Sequence, residues 1–192
     1  MPRITDHVAT HVASAATAVH GPRLTADERR FDCPCHGSQF GLDGAVLGFG
    51  AETGLHMLRI IVGGVFDKFP NLKFIVGHTG EALPFWLYRM DYMQGAGQRS
   101  GRYPFMPKLQ HPVSHYMKHN VFVTSSGVAW QPAIEFCQKV LGVERVMYAM
   151  DYPYQFVADE VAAMDKMTMS AEDKKMFFQT NAETVFKIRS ST

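Results

Sequence analysis

The chain has 192 residues, 46% hydrophobic and 12% aromatic, which is enough to bury one good core and falls in the range of a single globular domain. Lys and Arg number 19 against 18 Asp and Glu, a formal net charge of +1 with no basic run, so a nucleic-acid partner is not expected and small neutral or anionic molecules remain open. No stretch approaches ~18 uninterrupted apolar residues, and the opening MPRITDHVATHVASAATAVHG lacks a basic start followed by an apolar core; no membrane partner and a cytoplasmic location are expected.

The first 50 residues read as Ala/Thr/His-rich, then charged from Asp27 to Arg30, then as short glycine-punctuated strands, a small β-rich module. Within them Cys33-Pro34-Cys35-His36-Gly37-Ser38 has iron-sulfur ligand spacing. Three cysteines make no disulfide framework, and Cys137, in a helical apolar pattern, reads as a buried thiol. Pattern and composition change at Gly48-Phe49-Gly50, which divides the chain into 1–50 and 51–192.

Beyond that break Leu55, Leu58, Ile61, Val62, Val65 and Phe66 recur at helical spacing up to Phe69-Pro70-Asn71. Lys73 to Val76 is a buried strand, and a helix over about 82–93 presents Leu83, Phe85, Trp86, Leu87 and Met90 inward. Gly95, Gly97, Gly101, Pro104, Pro107 and Pro112 predict a long polar loop. Val121 to Thr124 is the second strand, Pro132 to Leu141 a helix, and Arg145 to Ala149 the third strand. A helix through 157–167 follows, then one opened by Ser170 with Asp173 three residues on, and Asn181 caps a last turn ending at Phe186.

Strands alternating with helices predict a parallel α/β architecture, because each parallel strand needs a crossover. Functional side chains in such barrels project from strand C-terminal ends. The three strands deliver His78 and Glu81, then Ser125-Ser126-Gly127, then Asp151 and Tyr152. A His, a Glu and an Asp reaching one rim suit metal-assisted hydrolysis or decarboxylation. Each also has a plainer reading: His78 as a hydrogen-bonded structural residue, Glu81 as a first-turn carboxylate, Asp151 as a cap or turn residue before Pro153.

The stretches Glu52 to Arg59, Gly64 to Lys73, Gly77 to Asp91, Asn120 to Gly127, Arg145 to Pro153 and Asn181-Ala182-Glu183, taken in order, resemble the amidohydrolase superfamily. They are most similar to its non-oxidative aromatic-acid decarboxylases, the 2,3-dihydroxybenzoate, γ-resorcylate and 5-carboxyvanillate type. The resemblance implies a (β/α)8 TIM barrel, of which only the last three units are represented, since a full barrel takes ~250 residues. It implies Asp151 as metal ligand and proton donor, His78 and Glu81 as partners in substrate binding and proton movement, and Arg89 as a contact for a substrate carboxylate or ring substituent. The metal would be zinc or manganese, and the substrate a small aromatic carboxylic acid. The family's earlier ligands, from its first and fifth strands, find no match upstream of Leu55. An incomplete sheet with an open edge predicts a homo-oligomer or a partner-dependent chain.

Residues 27–48 resemble the second ligand box of a Rieske iron-sulfur domain. There Cys33 and His36 would bind the two irons of a two-iron two-sulfur cluster, and His11, in Ala9-Thr10-His11, is the one candidate from a first box.

Overall fold

The continuous apolar runs become strands of one parallel sheet. The computed structural model describes residues 23–25, 30–32, 39–41, 47–101, 104 and 107–188. Strands β1 (Arg23–Thr25), β2 (Arg30–Asp32) and β3 (Gln39–Gly41) form an antiparallel meander in which Leu24 pairs with Phe31 and Phe31 with Phe40. The second sheet comprises β4 (Phe74–Val76), β5 (Val121–Thr124) and β6 (Val146–Met147), parallel and in sequential order. Ile75 pairs with Phe122 and Val123 with Val146. In the middle strand, Val121, Phe122 and Val123 are all buried, as expected of a strand covered on both faces.

Helices α1 (Leu47–Val62) and α2 (Val65–Lys68) precede β4. The single helix expected there is split because Gly64 turns left-handed, at φ 74°. Leu55, expected inside, is exposed, while Met57, Ile61 and Phe66 reach the core. Phe66 meets Phe74 edge-on at 5.9 Å and stacks with Tyr116 at 6.1 Å.

The β4–β5 crossover departs most from expectation. Helix α3 (Leu83–Ser100) runs through Gly95 and Gly97 and stops at Gly101, at φ 60°. A further helix, α4 (Val113–His119), occupies the predicted loop, with Pro112 as its N-cap. Each holds the other: Gln94, buried, accepts from the Val113 amide at 3.1 Å and donates to the His111 carbonyl at 3.2 Å, while Asp91 accepts from the Ser114 amide at 2.9 Å. These bonds satisfy orphan amides at the start of α4 and compensate for the glycines' low helix propensity. The inward face of α3 is Leu83, Leu87, Met90 and Gln94, so Phe85 and Trp86 are exposed rather than inward.

Helix α5 (Gln131–Leu141) buries Ile134, Cys137 and Leu141. The Cys137 thiol is 2% exposed, and burial pushes its pKa up to about 11. The chain closes with α6 (Glu160–Asp165), α7 (Ala171–Lys175) and α8 (Asn181–Phe186). Ser170 caps α7, its hydroxyl accepting from the Asp173 amide at 3.0 Å.

Two asparagines work as struts at the strand entrances. Asn120 Nδ2 donates to the Pro70 and Leu72 carbonyls at 2.8 and 2.9 Å, tying the approach to β4 against β5. Asn181 Nδ2 donates to the Val143 and Val146 carbonyls at 2.8 and 2.9 Å, tying α8 to the start of β6. Asn181 is therefore buried and donating, not a cap. No helix among the described residues is long and apolar enough to cross a membrane.

Candidate active site

Parallel pairing brings the C-terminal ends of β4, β5 and β6 to one edge of the sheet. His78 and Glu81 sit there on an unusual turn. His78, Thr79, Gly80, Glu81 and Ala82 all have positive φ, at 49, 55, 80, 51 and 63°. Left-handed backbone costs ~1–2 kcal/mol per non-glycine residue, so four of them amount to roughly 4–8 kcal/mol. That rivals a typical net folding stability of ~5–15 kcal/mol, so tertiary contacts must hold the turn.

Those contacts are visible. The Gly80 and Glu81 amides donate to the Gly77 and His78 carbonyls at 2.8 and 3.1 Å. The Cys137 thiol donates to the Thr79 carbonyl at 3.4 Å. Gly80 is buried so tightly that a Cβ there would lie 3.0 Å from Val123 and 3.1 Å from Pro84. The His78 amide donates to Ser126 Oγ at 3.3 Å, which docks the turn on the loop after β5.

The turn aims both side chains the same way. His78 Nδ1 lies 2.6 Å from Glu81 Oε1, and its Nε2 lies 3.5 Å from Asp151 Oδ2. The three side chains are 28%, 9% and 18% exposed, so they are sheltered but open at the edge. The hydrogen bond to Glu81 raises the His78 pKa above its ordinary value; burial opposes this, and the Glu81 and Asp151 charges add to it. Asp151 follows β6 by four residues, and its carbonyl accepts from the Gln155 amide at 2.7 Å in the turn after it. Ser125, fully buried, fixes that approach: Oγ donates to the Ala149 carbonyl at 3.2 Å and accepts from the Ala149 amide at 3.1 Å.

The arrangement is a line, carboxylate–imidazole–carboxylate, able to hold a proton on the ring and pass it at Nε2. Sequence reasoning found its three members but not the left-handed turn, whose residue types disfavour it, nor the thiol beneath it. Arg89 is elsewhere: it lines a groove of about 520 Å³ with Leu58, Val62, Trp86, Met90 and Met93, and none of His78, Glu81 or Asp151 lines that groove. His11, Cys33 and His36 lie outside the described residues.

Among the described residues no group of three or more His, Cys, Asp or Glu is placed to hold a metal ion. His78 turns one nitrogen to Glu81 and the other to Asp151, and of the three only Asp151 is the carboxylate that the resemblance implies as a metal ligand. A lone carboxylate does not hold zinc or manganese well, so the described residues by themselves do not fit either ion.

Comparison with known proteins identifies the family. A family model described as amidohydrolase matches residues 7–188, running through both the Rieske-like stretch and the expected break near residue 50. A γ-resorcylate decarboxylase from Polaromonas is 30% identical over 165 residues, covering 86% of this chain and 48% of that enzyme. The solved 5-carboxyvanillate decarboxylase of Novosphingobium aromaticivorans, with bound manganese and 4-hydroxy-3-methoxy-5-nitrobenzoic acid, is 65% identical with a TM-score of 0.73, covering 77% of this chain and 42% of that one. The 5-carboxyvanillate decarboxylase of Sphingomonas paucimobilis is 41% identical with a TM-score of 0.71, covering 78% and 44%. The chain thus spans less than half the length of these relatives. On the family match and on the parallel sheet shared with these structures, the chain belongs to the amidohydrolase family.

Proposed function

We propose that the chain serves non-oxidative decarboxylation of a hydroxylated aromatic acid. The observation that carries the reading is the line Glu81–His78–Asp151 at the C-terminal edge of the sheet, with 2.6 and 3.5 Å between successive groups. Asp151, when protonated, delivers its proton to the ring carbon bearing the carboxylate. The bond to the carboxylate carbon then breaks, its electron pair returns to the ring, and carbon dioxide leaves. His78, with a raised pKa, holds a proton that restores Asp151, and Glu81 fixes the ring by accepting from Nδ1.

Likeness to relatives adds three assignments. A divalent ion, zinc or manganese, belongs to the reading with Asp151 as the ligand on this chain and further donors from outside the described residues. The resemblance gives Arg89 as a guanidinium fork for a substrate carboxylate, although in this chain Arg89 lines the separate groove and not the edge bearing Glu81, His78 and Asp151. The substrate class is a benzoate with a hydroxyl ortho to the carboxylate, and 5-carboxyvanillate is the first to try because the 65% identical relative bears that name. The edges at β4 and β6 pair with no further strand among the described residues, which supports an oligomeric or partner-dependent assembly.

The test is carbon dioxide release from 5-carboxyvanillate and γ-resorcylate, with and without added manganese or zinc. Asp151→Asn is expected to lose ~10²-fold or more, the usual contribution of a positioned acid. No release by the parent chain, or equal release by Asp151→Asn, refutes the reading.

A further inference from the structure

Helix α1 passes directly behind Glu81, and two glycines one turn apart permit it. A Cβ built at Gly50 would lie 2.7 Å from Glu81 Oε2, and one at Gly54 would lie 3.0 Å from the Glu81 carbonyl oxygen. Real Cβ atoms do not approach an oxygen to 2.7 Å, so a methyl at Gly50 and the present Glu81 carboxylate exclude each other. Glycine is also a poor residue for a helix, and Gly50 lies within α1. Its φ is not in the left-handed region that would otherwise call for glycine. Local structure therefore gives no reason for it, whereas the carboxylate beside it does.

The opposite side of the line is bounded in the same way. A Cβ at Gly127 would lie 2.7 Å from His78 Cδ2 and 3.5 Å from Asp151 Oδ2. Gly127 also has φ 67°, so its backbone alone accounts for a glycine there. Gly50 is the position where the effect on the site stands apart from the backbone.

We propose that Gly50 is a positioning residue: the space left by its missing side chain holds the Glu81 carboxylate on His78 Nδ1. The clash falls on the far end of a flexible side chain, so Gly50→Ala moves the carboxylate rather than the fold. The inference rests on the reading of His78 and Glu81 as part of the active site, but its test does not use turnover.

The whole 192-residue chain is labelled with 15N-histidine, and long-range correlations from the ring carbon protons report the His78 Nδ1 shift at one fixed pH. The signal is assigned by its loss in His78→Gln. The parent protein should show a nitrogen whose N–H is bonded to a carboxylate. Gly50→Ala should move the shift to that of Glu81→Ala, with a melting temperature no lower than that of Glu81→Ala, since both lose the bond to His78 and only Gly50→Ala gains helix propensity. Adding Gly50→Ala to Glu81→Ala should leave the shift unchanged. If Gly50→Ala does not fold but the double variant with Glu81→Ala does, the proposal stands, because the two groups compete for one space. A parent-like shift in Gly50→Ala, a further move in the double variant, or unfolding in both backgrounds overturns it. Absent carbon dioxide release would refute the decarboxylase reading and leave this result untouched.

Discussion

Asn181 distinguishes two physical accounts of the same residue. Its sequence context reads as a helix cap, whereas the structure makes it a strut whose Nδ2 donates to the Val143 and Val146 carbonyls at 2.8 and 2.9 Å with 4% of the residue exposed. Truncation in Asn181→Ala leaves two carbonyls short of a donor, and each such loss costs ~1–3 kcal/mol, so a total of ~2–6 kcal/mol is expected. Asn181→Asp separates the accounts. Aspartate caps helices as well as asparagine does, so a cap would tolerate it. A strut would not, because a carboxylate oxygen would face two carbonyl oxygens in a buried site, and an uncompensated buried charge costs ~3–5 kcal/mol. Urea denaturation followed by far-UV circular dichroism measures both variants. Asn181→Asp within ~0.5 kcal/mol of the parent, the range of an unremarkable surface change, refutes the strut.

Two further predictions concern the site. A base with a raised folded pKa contributes stability fully below its unfolded value, 6.5 for histidine, and loses it as pH rises through the folded value. Glu81→Gln removes the main cause of the raised His78 pKa, so it should destabilise by ~1.5–3 kcal/mol near pH 5.5, the range of a charge-assisted hydrogen bond, and by less near pH 9. Melts in chelator at both pH values check this, and a gap that is constant or larger at pH 9 counts against it. Gly127→Ala should destabilise beyond the ~1–2 kcal/mol of a left-handed alanine, because its methyl meets the His78 ring. Gly101→Ala is the control, with φ 60° and nothing among the described residues within 4 Å of its Cβ, and equal losses in the two variants would show no contact with His78.

Much of the rim was legible in the chain itself. Val121-Phe122-Val123, β-branched and aromatic, reads as a strand covered on both sides, and three such strands running parallel bring His78, Glu81 and Asp151 to one edge. The phase of α3 was not legible, because Phe85, Trp86, Leu87 and Tyr88 are apolar all round the helix and only packing selects Leu83 and Leu87. Nor was its length, since Gly95 and Gly97 argue for a loop until Gln94 and Asp91 are seen holding the start of α4. Local propensity points away from the left-handed turn, and the contacts that impose it come from residues 40 or more positions downstream, Val123 and Cys137.

That turn orders events in folding. Thr79, Glu81 and Ala82 have no tendency of their own toward positive φ, so the nascent segment samples it rarely. The shape is imposed only when Gly80 closes against Val123 and the Cys137 thiol reaches the Thr79 carbonyl, that is, after β5 and α5 have docked. A collapsed chain in which β5 and α5 have not docked is expected to lack the His78–Glu81 pair, so that pair should serve as a marker of completed tertiary structure rather than a seed of it.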